Sequence, residues 1–311
     1  MLVSCARMST QIHTSESRPL WGVIWMVATG LSFVAVTAIV KHIGGGVPPA
    51  EAAFLRYILG LVFLVPMLRP LFKANLQRRQ IILFGWRGVV HSLGVILWFF
   101  AMTKIPIADV TAMNYLSPVY VTIGAALFLG EKLAFRRILA ICAALIGALI
   151  ILRPGFREVS IGHVAMLFTA VLFAASYLLA KRMADELNPV AVVAMLSIMV
   201  PIGLAPFAYA QWVTPTFAQV GWLFLVAVFA TIGHLTMTLA FRAAPMTVTQ
   251  PVTFLQLVWA TMLGAVVFSE PVDGWVVLGG IVILGSVSFI TWREAVLKRR
   301  ALTPPAVATK V

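Results

Sequence analysis

Several polar side chains that can bind a small molecule lie at helical spacing inside apolar runs. His91, Gly94 and Trp98 follow one another at i, i+3 and i+7, which places them on one face of a helix. His234 lies on a similar face in a later run, between two threonines. Each histidine has two interpretations: a hydrogen bond between helices, or a contact with a substrate or a proton.

A second set of polar and aromatic side chains occupies two further apolar runs. In the first run Asn114, Tyr115 and Ser117 lie close to Pro118, which frees a backbone carbonyl and so predicts either a kink in the helix or a carbonyl that faces the substrate. The corresponding set in the second run is Thr253, Phe254, Gln256 and Trp259. We expect these side chains to line a binding site, with ordinary polar packing between helices as the alternative.

Arg56 is a charged side chain within an apolar run, and its counterpart in the second half of the chain is Leu196. This asymmetry suggests a task that one half performs alone. The task is either the binding of a substrate carboxylate or pairing with an acid as a gate. The alternative is that the long side chain extends to a membrane interface.

No motif for covalent chemistry accompanies these residues. The sequence lacks the zinc-protease HExxH, the serine-hydrolase GxSxG and the glycine-rich phosphate loop. The two cysteines, Cys5 and Cys142, provide no disulfide framework. We therefore expect no catalytic residue, no metal site, no cofactor and no enzymatic activity.

The apolar runs belong to two halves of a duplicated chain. Segments 101–131 and 240–270 align without a gap at an offset of 139, and an offset of 140 aligns Phe33 with Phe173 upstream. Repeats that each hold an odd number of spans are typical of secondary transporters, whose halves insert in opposite directions around a central site.

The composition indicates an all-α integral membrane protein. Of the 311 residues, 61% are hydrophobic and only 11% are charged, which is too little polar surface for a soluble protein of this size. Ten apolar runs approach the length of about 20 residues that crosses a bilayer. They lie at about 21–40, 51–69, 81–102, 108–129, 136–152, 160–180, 190–210, 219–241, 246–268 and 273–292. The sequence thus predicts ten transmembrane helices in two inverted five-helix repeats.

The net charge of +13 reflects loops rather than a nucleic-acid-binding face. Seventeen of the 23 lysines and arginines fall in segments that are cytoplasmic if the N-terminus is inside, and four fall in outside loops. This bias predicts that both termini are cytoplasmic and that the partners are a lipid bilayer and a small molecule, without nucleic acid.

Three acidic residues lie near the ends of spans. Glu131 and Glu270 end equivalent spans, and this repetition favours a structural role such as closing a loop. Asp109, near the outer entrance to the fourth span, is the other candidate acid. Small residues in the fifth and tenth spans allow close approach of helices, either between the two halves or in a homodimer.

These features resemble a known family. The segment FLRY at 54–57, the run from Phe100 that closes with LGEK at 129–132, and the closing segment FSEP at 268–271 are similar to EamA-type members of the drug/metabolite transporter superfamily. The resemblance covers nearly the whole chain. It implies ten helices in inverted repeats, a bacterial inner-membrane location, and a central cavity lined mainly by spans 1, 3, 4, 6, 8 and 9.

We therefore expect a secondary transporter that moves a small organic metabolite by alternating access. The resemblance implies substrates such as amino acids and compounds like S-adenosylmethionine or riboflavin. The alternatives are a membrane-embedded enzyme and a non-transporting sensor or assembly partner. The expected organisation is a cytoplasmic tail at 1–19, repeats at 20–153 and 154–293, and a basic cytoplasmic tail at 294–311.

Overall fold

The computed structural model describes residues 19–67, 71, 76–128, 134–184, 186–187, 189–244 and 246–302. Glu131 and both chain ends lie outside these described residues. Within them the regular structure is helical, and no β-strand is formed. In chain order the α-helices are α1 (Pro19–Ile43), α2 (Pro49–Gly60), α3 (Arg78–Lys104), α4 (Ile107–Asn114), α5 (Leu116–Phe128), α6 (Phe135–Leu152), α7 (Ile161–Ala184), α8 (Pro189–Ala210), α9 (Phe217–Ala243), α10 (Met246–Val252), α11 (Phe254–Phe268) and α12 (Gly274–Leu302).

Most of these helices have the dimensions of membrane spans. Eight helical segments of the described residues are long and apolar enough to cross a bilayer, with α4 and α5 acting as one segment, and α11 is a shorter apolar helix. Helix α2 continues as a 3-10 helix over Leu61–Met67. Large apolar side chains such as Leu31, Trp86 and Ile202 are exposed, as expected of a surface that lipid covers. Among the described residues each predicted run falls on helical structure to within a few residues, apart from the longer C-terminal end of α12. The run at 51–69 corresponds to α2 and the following 3-10 helix, and the runs at 108–129 and 246–268 each correspond to two helices.

Two of the predicted spans are interrupted in the middle. The first interruption lies at Tyr115, between α4 and α5, because Pro118 has no N–H to donate to the carbonyl of Asn114. The second lies at Thr253, between α10 and α11, two residues after Pro251. Pro118 indicated the first interruption from the sequence, whereas the second was not predicted.

Helices of one half pack against helices of the other half, and each such pair is matched by a second pair made of the repeat counterparts. Helix α1 packs on α9 while its counterpart α7 packs on α3, and α3 packs on α8 while α9 packs on α2. Likewise α1 packs on α11 while α7 packs on α5. Each exchanged pair joins one half to the other, so the duplication seen in the sequence is also a symmetry of the packing.

Individual contacts follow the same repeat. A Cβ atom built on Gly162 would stand 2.7 Å from Cγ2 of Ile105, and the matching glycine, Gly22, contacts Ala244, which is the counterpart of Ile105. In both places the missing side chain lets the first helix of one half approach the other half closely.

Helices α6 and α12, the fifth and tenth spans, pack against each other within the chain. A Cβ on Gly147 would stand 2.8 Å from the carbonyl oxygen of Gly279, so backbone meets backbone at this point. These small residues were expected to allow contact either between the two halves or between two copies in a homodimer. The structure shows the contact between the halves.

Candidate functional site: a cationic and aromatic centre between the halves

The two histidines occupy equivalent settings on opposite halves. The His91 ring stacks on Phe173, with centroids 4.9 Å apart, and His234 meets Phe33 edge-on at 5.2 Å. Phe33 and Phe173 are repeat counterparts, and each also fits against a counterpart glycine, Gly233 or Gly94, on the same helix as its histidine. The histidines are offset by about one turn in sequence, yet each contacts the matching phenylalanine.

His91 is also tied to the second half by a hydrogen bond. Its Nδ1 lies 3.1 Å from Oγ of Ser176 on α7, and the side chain is buried. His234 has an exposed side chain but interacts electrostatically with His91. The hydrogen-bonding interpretation therefore describes His91, whereas His234 is exposed and its side chain makes no hydrogen bond among the described residues.

Arg56 lies in the same neighbourhood. Its guanidinium carbon stands 4.2 Å from the centroid of the Tyr57 ring, the side chain is buried, and its charge acts on both histidines. Glu51, five residues earlier, forms no ion pair with Arg56 among the described residues. One of its carboxylate oxygens accepts a hydrogen bond from the backbone N–H of Val213 at 2.9 Å, and the other has no partner there.

A second arginine, Arg87, belongs to this centre and was missed as a site residue by sequence analysis. It is buried and donates from Nη1 to the carbonyl oxygen of Val192 at 2.9 Å, and its charge also acts on His91. The signal that could have identified it is its spacing: Arg87 precedes His91 by four residues, so the two share a helix face.

Four predicted site residues carry buried polar atoms without a hydrogen-bond partner among the described residues. They are Nε1 of Trp98, Oδ1 of Asn114, Oγ of Ser117 and Nε1 of Trp259. Unpaired buried polar groups cost free energy, and each one requires an explanation. A ligand that supplies acceptors to the indole N–H groups and a donor to the amide oxygen is one such explanation.

The structure does not gather all eleven predicted residues into one contact group. Trp98 reaches the histidine centre through Phe173, with ring centroids 6.1 Å apart. Trp259 packs in a separate apolar cluster with Val34, Ile107 and Ala260. Arg56 and Trp98 therefore lie near the histidines, whereas Trp259 packs elsewhere.

The two interrupted spans meet each other directly. The Tyr115 hydroxyl donates to the carbonyl oxygen of Thr253 at 2.8 Å, so the interruption in one half is bonded to that in the other. Phe254 follows and is partly buried. Gln256 lies against α1, because a Cβ on Gly30 would stand 3.3 Å from Cβ of Gln256.

One end of the bundle is held by buried and partly buried charged contacts between the halves, and we call it the Glu270 end. Its first contact is centred on Glu270, which forms an ion pair with Lys41 and accepts a hydrogen bond from the N–H of Ile107 at 2.9 Å. Lys41 also donates to the carbonyl oxygen of Ile105 at 2.8 Å. The second-half glutamate thus caps the first helix turn of a first-half span.

A second contact at the Glu270 end involves Asp109. Its carboxylate pairs with Arg157 and with Nε2 of His163, the latter at 2.7 Å, and Asp109 and His163 are both buried. Asp273 pairs with Arg153 nearby. Asp109 was a candidate acid, and its observed contacts, an ion pair with Arg157 and a hydrogen bond with His163, join the halves.

No group of three or more histidine, cysteine, aspartate or glutamate side chains that could hold a metal ion occurs among the residues that the structure describes. The centre therefore offers cations, aromatic rings and hydrogen-bonding groups. An arrangement of this kind can bind a small molecule.

A helical bundle with an apolar exterior, a duplicated sequence and a polar centre between its halves defines a polytopic membrane transporter. The sequence matches the EamA-like transporter family over residues 20–153 and again over residues 160–292. The protein belongs to this family, and the resemblance expected from the sequence is confirmed.

Curated relatives are transporters of several compounds. The chain is 30% identical to a riboflavin transporter of Vibrio cholerae, covering 92% of this chain and 97% of that protein. It is 26% identical to a pseudopaline exporter of Pseudomonas aeruginosa, covering 85% and 93%. It is 22% identical to an S-adenosylmethionine uptake transporter of Rickettsia bellii, covering 88% and 94%.

The fold also has a counterpart among solved structures. One protein crystal structure superposes with a TM-score of 0.54 at 16% sequence identity, covering 90% of this chain and 96% of that chain. At this level of identity the likeness concerns the fold alone.

Proposed function

We propose that this protein is a secondary carrier that moves a small organic metabolite across the bacterial inner membrane by alternating access. The observation that carries the proposal is the exchange of helix pairs between the halves, α1 with α9 and α7 with α3. Such an arrangement has two equivalent ways to pack around a central site. The candidate substrates are an amino acid or a compound like S-adenosylmethionine or riboflavin, the last two being named for relatives.

The proposed topology has ten spans in two inverted five-helix repeats, 20–153 and 154–293. The contacts of Lys41, Glu51, Asp109, Arg153 and Glu270 bring the connections between successive spans together at the Glu270 end. With an even number of spans, both termini lie at the other end. The excess of basic residues there supports a cytoplasmic location for both terminal tails, 1–19 and 294–311.

The proposed substrate-binding residues are the eleven expected from the sequence, although Trp259 lies in an apolar cluster apart from the histidines. They are Arg56, His91, Trp98, Asn114, Tyr115, Ser117, His234, Thr253, Phe254, Gln256 and Trp259. Accessibility of His234 and the unpartnered polar atoms of Trp98, Asn114, Ser117 and Trp259 support this role. The interruptions at Tyr115 and Thr253 are suited to act as hinges, because helix interruptions concentrate backbone rotation.

The test is transport by the purified protein in liposomes. Counterflow of labelled metabolites across a broad panel should reveal at least one substrate, and inactivity with every compound would contradict the carrier. Asn114→Ala and Gln256→Ala should impair transport while membrane insertion stays intact. Gln211→Ala, on an exposed loop, is the control and should transport normally. Normal kinetics in the first two variants would remove both residues from the site.

A further inference from the structure

We propose that the substrate carries an anionic group, most simply a carboxylate on a planar organic molecule, and that Arg56 binds this group. The inference rests on the carrier function proposed above and concerns the same site. It begins from the balance of charge in the middle of the bundle.

The centre of the bundle holds cations without acids. Arg56 and Arg87 are both buried, and a guanidinium remains charged under all physiological conditions. All ten acidic residues of the chain lie near the ends of spans, in loops or in the N-terminal tail: Glu16, Glu51, Asp109, Glu131, Glu158, Asp185, Glu186, Glu270, Asp273 and Glu294. The sequence therefore supplies no counter-ion at the depth of the two arginines.

Of the two arginines, Arg56 is the less restrained. Arg87 is anchored by the hydrogen bond from Nη1 to the carbonyl oxygen of Val192, although its Nε–H has no partner among the described residues. The described residues give Arg56 neither a hydrogen bond nor an ion pair, and its documented contact is the face of the Tyr57 ring. A guanidinium presents several N–H groups in a planar fork that matches a carboxylate, so an anion is the ligand that best satisfies it.

The side chains near Arg56 indicate the shape of the rest of the substrate. His91 stacks on Phe173, and the Trp98 ring approaches the same phenylalanine. Flat rings at this point can accommodate a planar body, and Nε1 of Trp98 is an unpartnered donor for an acceptor atom. A cationic body would be repelled by Arg56 and Arg87. The centre thus fits a planar organic acid better than a neutral or cationic analogue.

The experiment compares ligands that share a planar ring system and differ in whether they carry an anionic group. Purified wild-type protein in detergent is heated with pairs of compounds: nicotinate and nicotinamide, indole-3-acetate and indole-3-acetamide, and flavin mononucleotide and riboflavin. We expect at least one anion to raise the midpoint of thermal unfolding, whereas its neutral partner has little effect. Stabilisation by neutral members alone, or by none of the anions, would overturn the inference.

A set of variants then assigns the anion to Arg56. Arg56→Met should weaken binding of the stabilising anion by about 10- to 100-fold, the range for a hydrogen bond to a charged group, and Arg56→Lys should restore part of it. Arg242→Met removes one positive charge from an exposed position at the end of α9 and should bind the anion as wild type does. Equal binding by the Arg56→Met and wild-type proteins would contradict the assignment.

Counterflow in liposomes separates this inference from the proposed function. If a neutral or cationic compound is transported equally well by the wild-type and Arg56→Met proteins, the carrier function is supported and the proposal of an anionic substrate is contradicted. If anions bind through Arg56 but no compound is transported, the anion-binding site is supported and the carrier function is contradicted.

Discussion

In the proposed topology the Glu270 end faces outwards, and Glu270 tests whether this end must separate for the site to open to that side. Its carboxylate forms two contacts with the first half: the ion pair with Lys41, and the hydrogen bond from the N–H of Ile107 at 2.9 Å. The change Glu270→Gln preserves the shape of the side chain and removes its charge. We expect this change to favour the conformation in which this end is open.

The size of the effect follows from the exposure of the pair. The side chains of Lys41 and Glu270 are only 19% and 11% exposed, so solvent screens their interaction weakly. A hydrogen bond to a charged group contributes about 1.5–3 kcal/mol, and the loss of ~2 kcal/mol from the closed conformation corresponds to a ~30-fold shift in population. Lys41 retains its bond to the carbonyl oxygen of Ile105, which limits the loss.

The assay measures how readily a buried position is reached from the outside. Ser117→Cys, in a background with Cys5 and Cys142 replaced by serine, places a thiol in the proposed site. Intact cells are treated with a membrane-impermeant thiol reagent, and Glu270→Gln should raise the labelling rate by roughly tenfold or more, in line with the population shift. Cells lacking the introduced cysteine give the background.

The control lies at the other end of the bundle. Glu294 pairs with Arg137 at 2.7 Å, and its side chain is 52% exposed. Glu294→Gln removes the same charge without loosening the Glu270 end, so external labelling should remain at the original rate. Unchanged labelling in the Glu270→Gln protein, or an equal rise in both variants, would show that this contact does not control opening.

Two further substitutions test the packing of the site. Gly94→Ala should lower the free energy of unfolding by about 1–3 kcal/mol, because its Cβ would stand 2.9 Å from ring carbons of Phe173. Gly85→Ala, which meets no atom within 4 Å, is the control, and equal thermal stability of the two variants would contradict this account. Tyr115→Phe should cost about 1 kcal/mol through the lost bond to Thr253 and should slow counterflow while insertion remains normal. Wild-type stability and rates would show that the contact between the interruptions is dispensable.

The sequence predicted the helices well because their lengths follow from the need to cross an apolar layer. It predicted the interruption at Tyr115 only through Pro118, and it missed the one at Thr253, which follows Pro251. These two prolines are not repeat counterparts: Pro118 aligns with Leu257 and Pro251 with Ala112. An alignment of the halves therefore cannot reveal that both spans break at nearly the same depth.

Contacts between distant residues were the least predictable part of the site. Asp109 and His163 are 54 positions apart and meet only because α4 and α7 pack together. Their contact depends on tertiary packing rather than on any local pattern. Arg87 was within reach of local reasoning, since it shares a helix face with His91, but its bond to Val192 depends on the packing of α3 on α8.

The site combines a symmetric frame with an asymmetric charge. The pairs of Phe33 with His234 and Phe173 with His91 are related by the repeat, so each half offers the same kind of ring surface to the other. Arg56 has no such counterpart, because Leu196 occupies the matching position and packs in the apolar core. Two equivalent halves can exchange packing arrangements at little cost, whereas a single charge fixes where an anion binds. The phenylalanine and histidine pairs thus contribute to the movement of the halves, and Arg56 contributes to recognition of the substrate. Arg56→Met should therefore abolish selectivity for anions without preventing the halves from alternating.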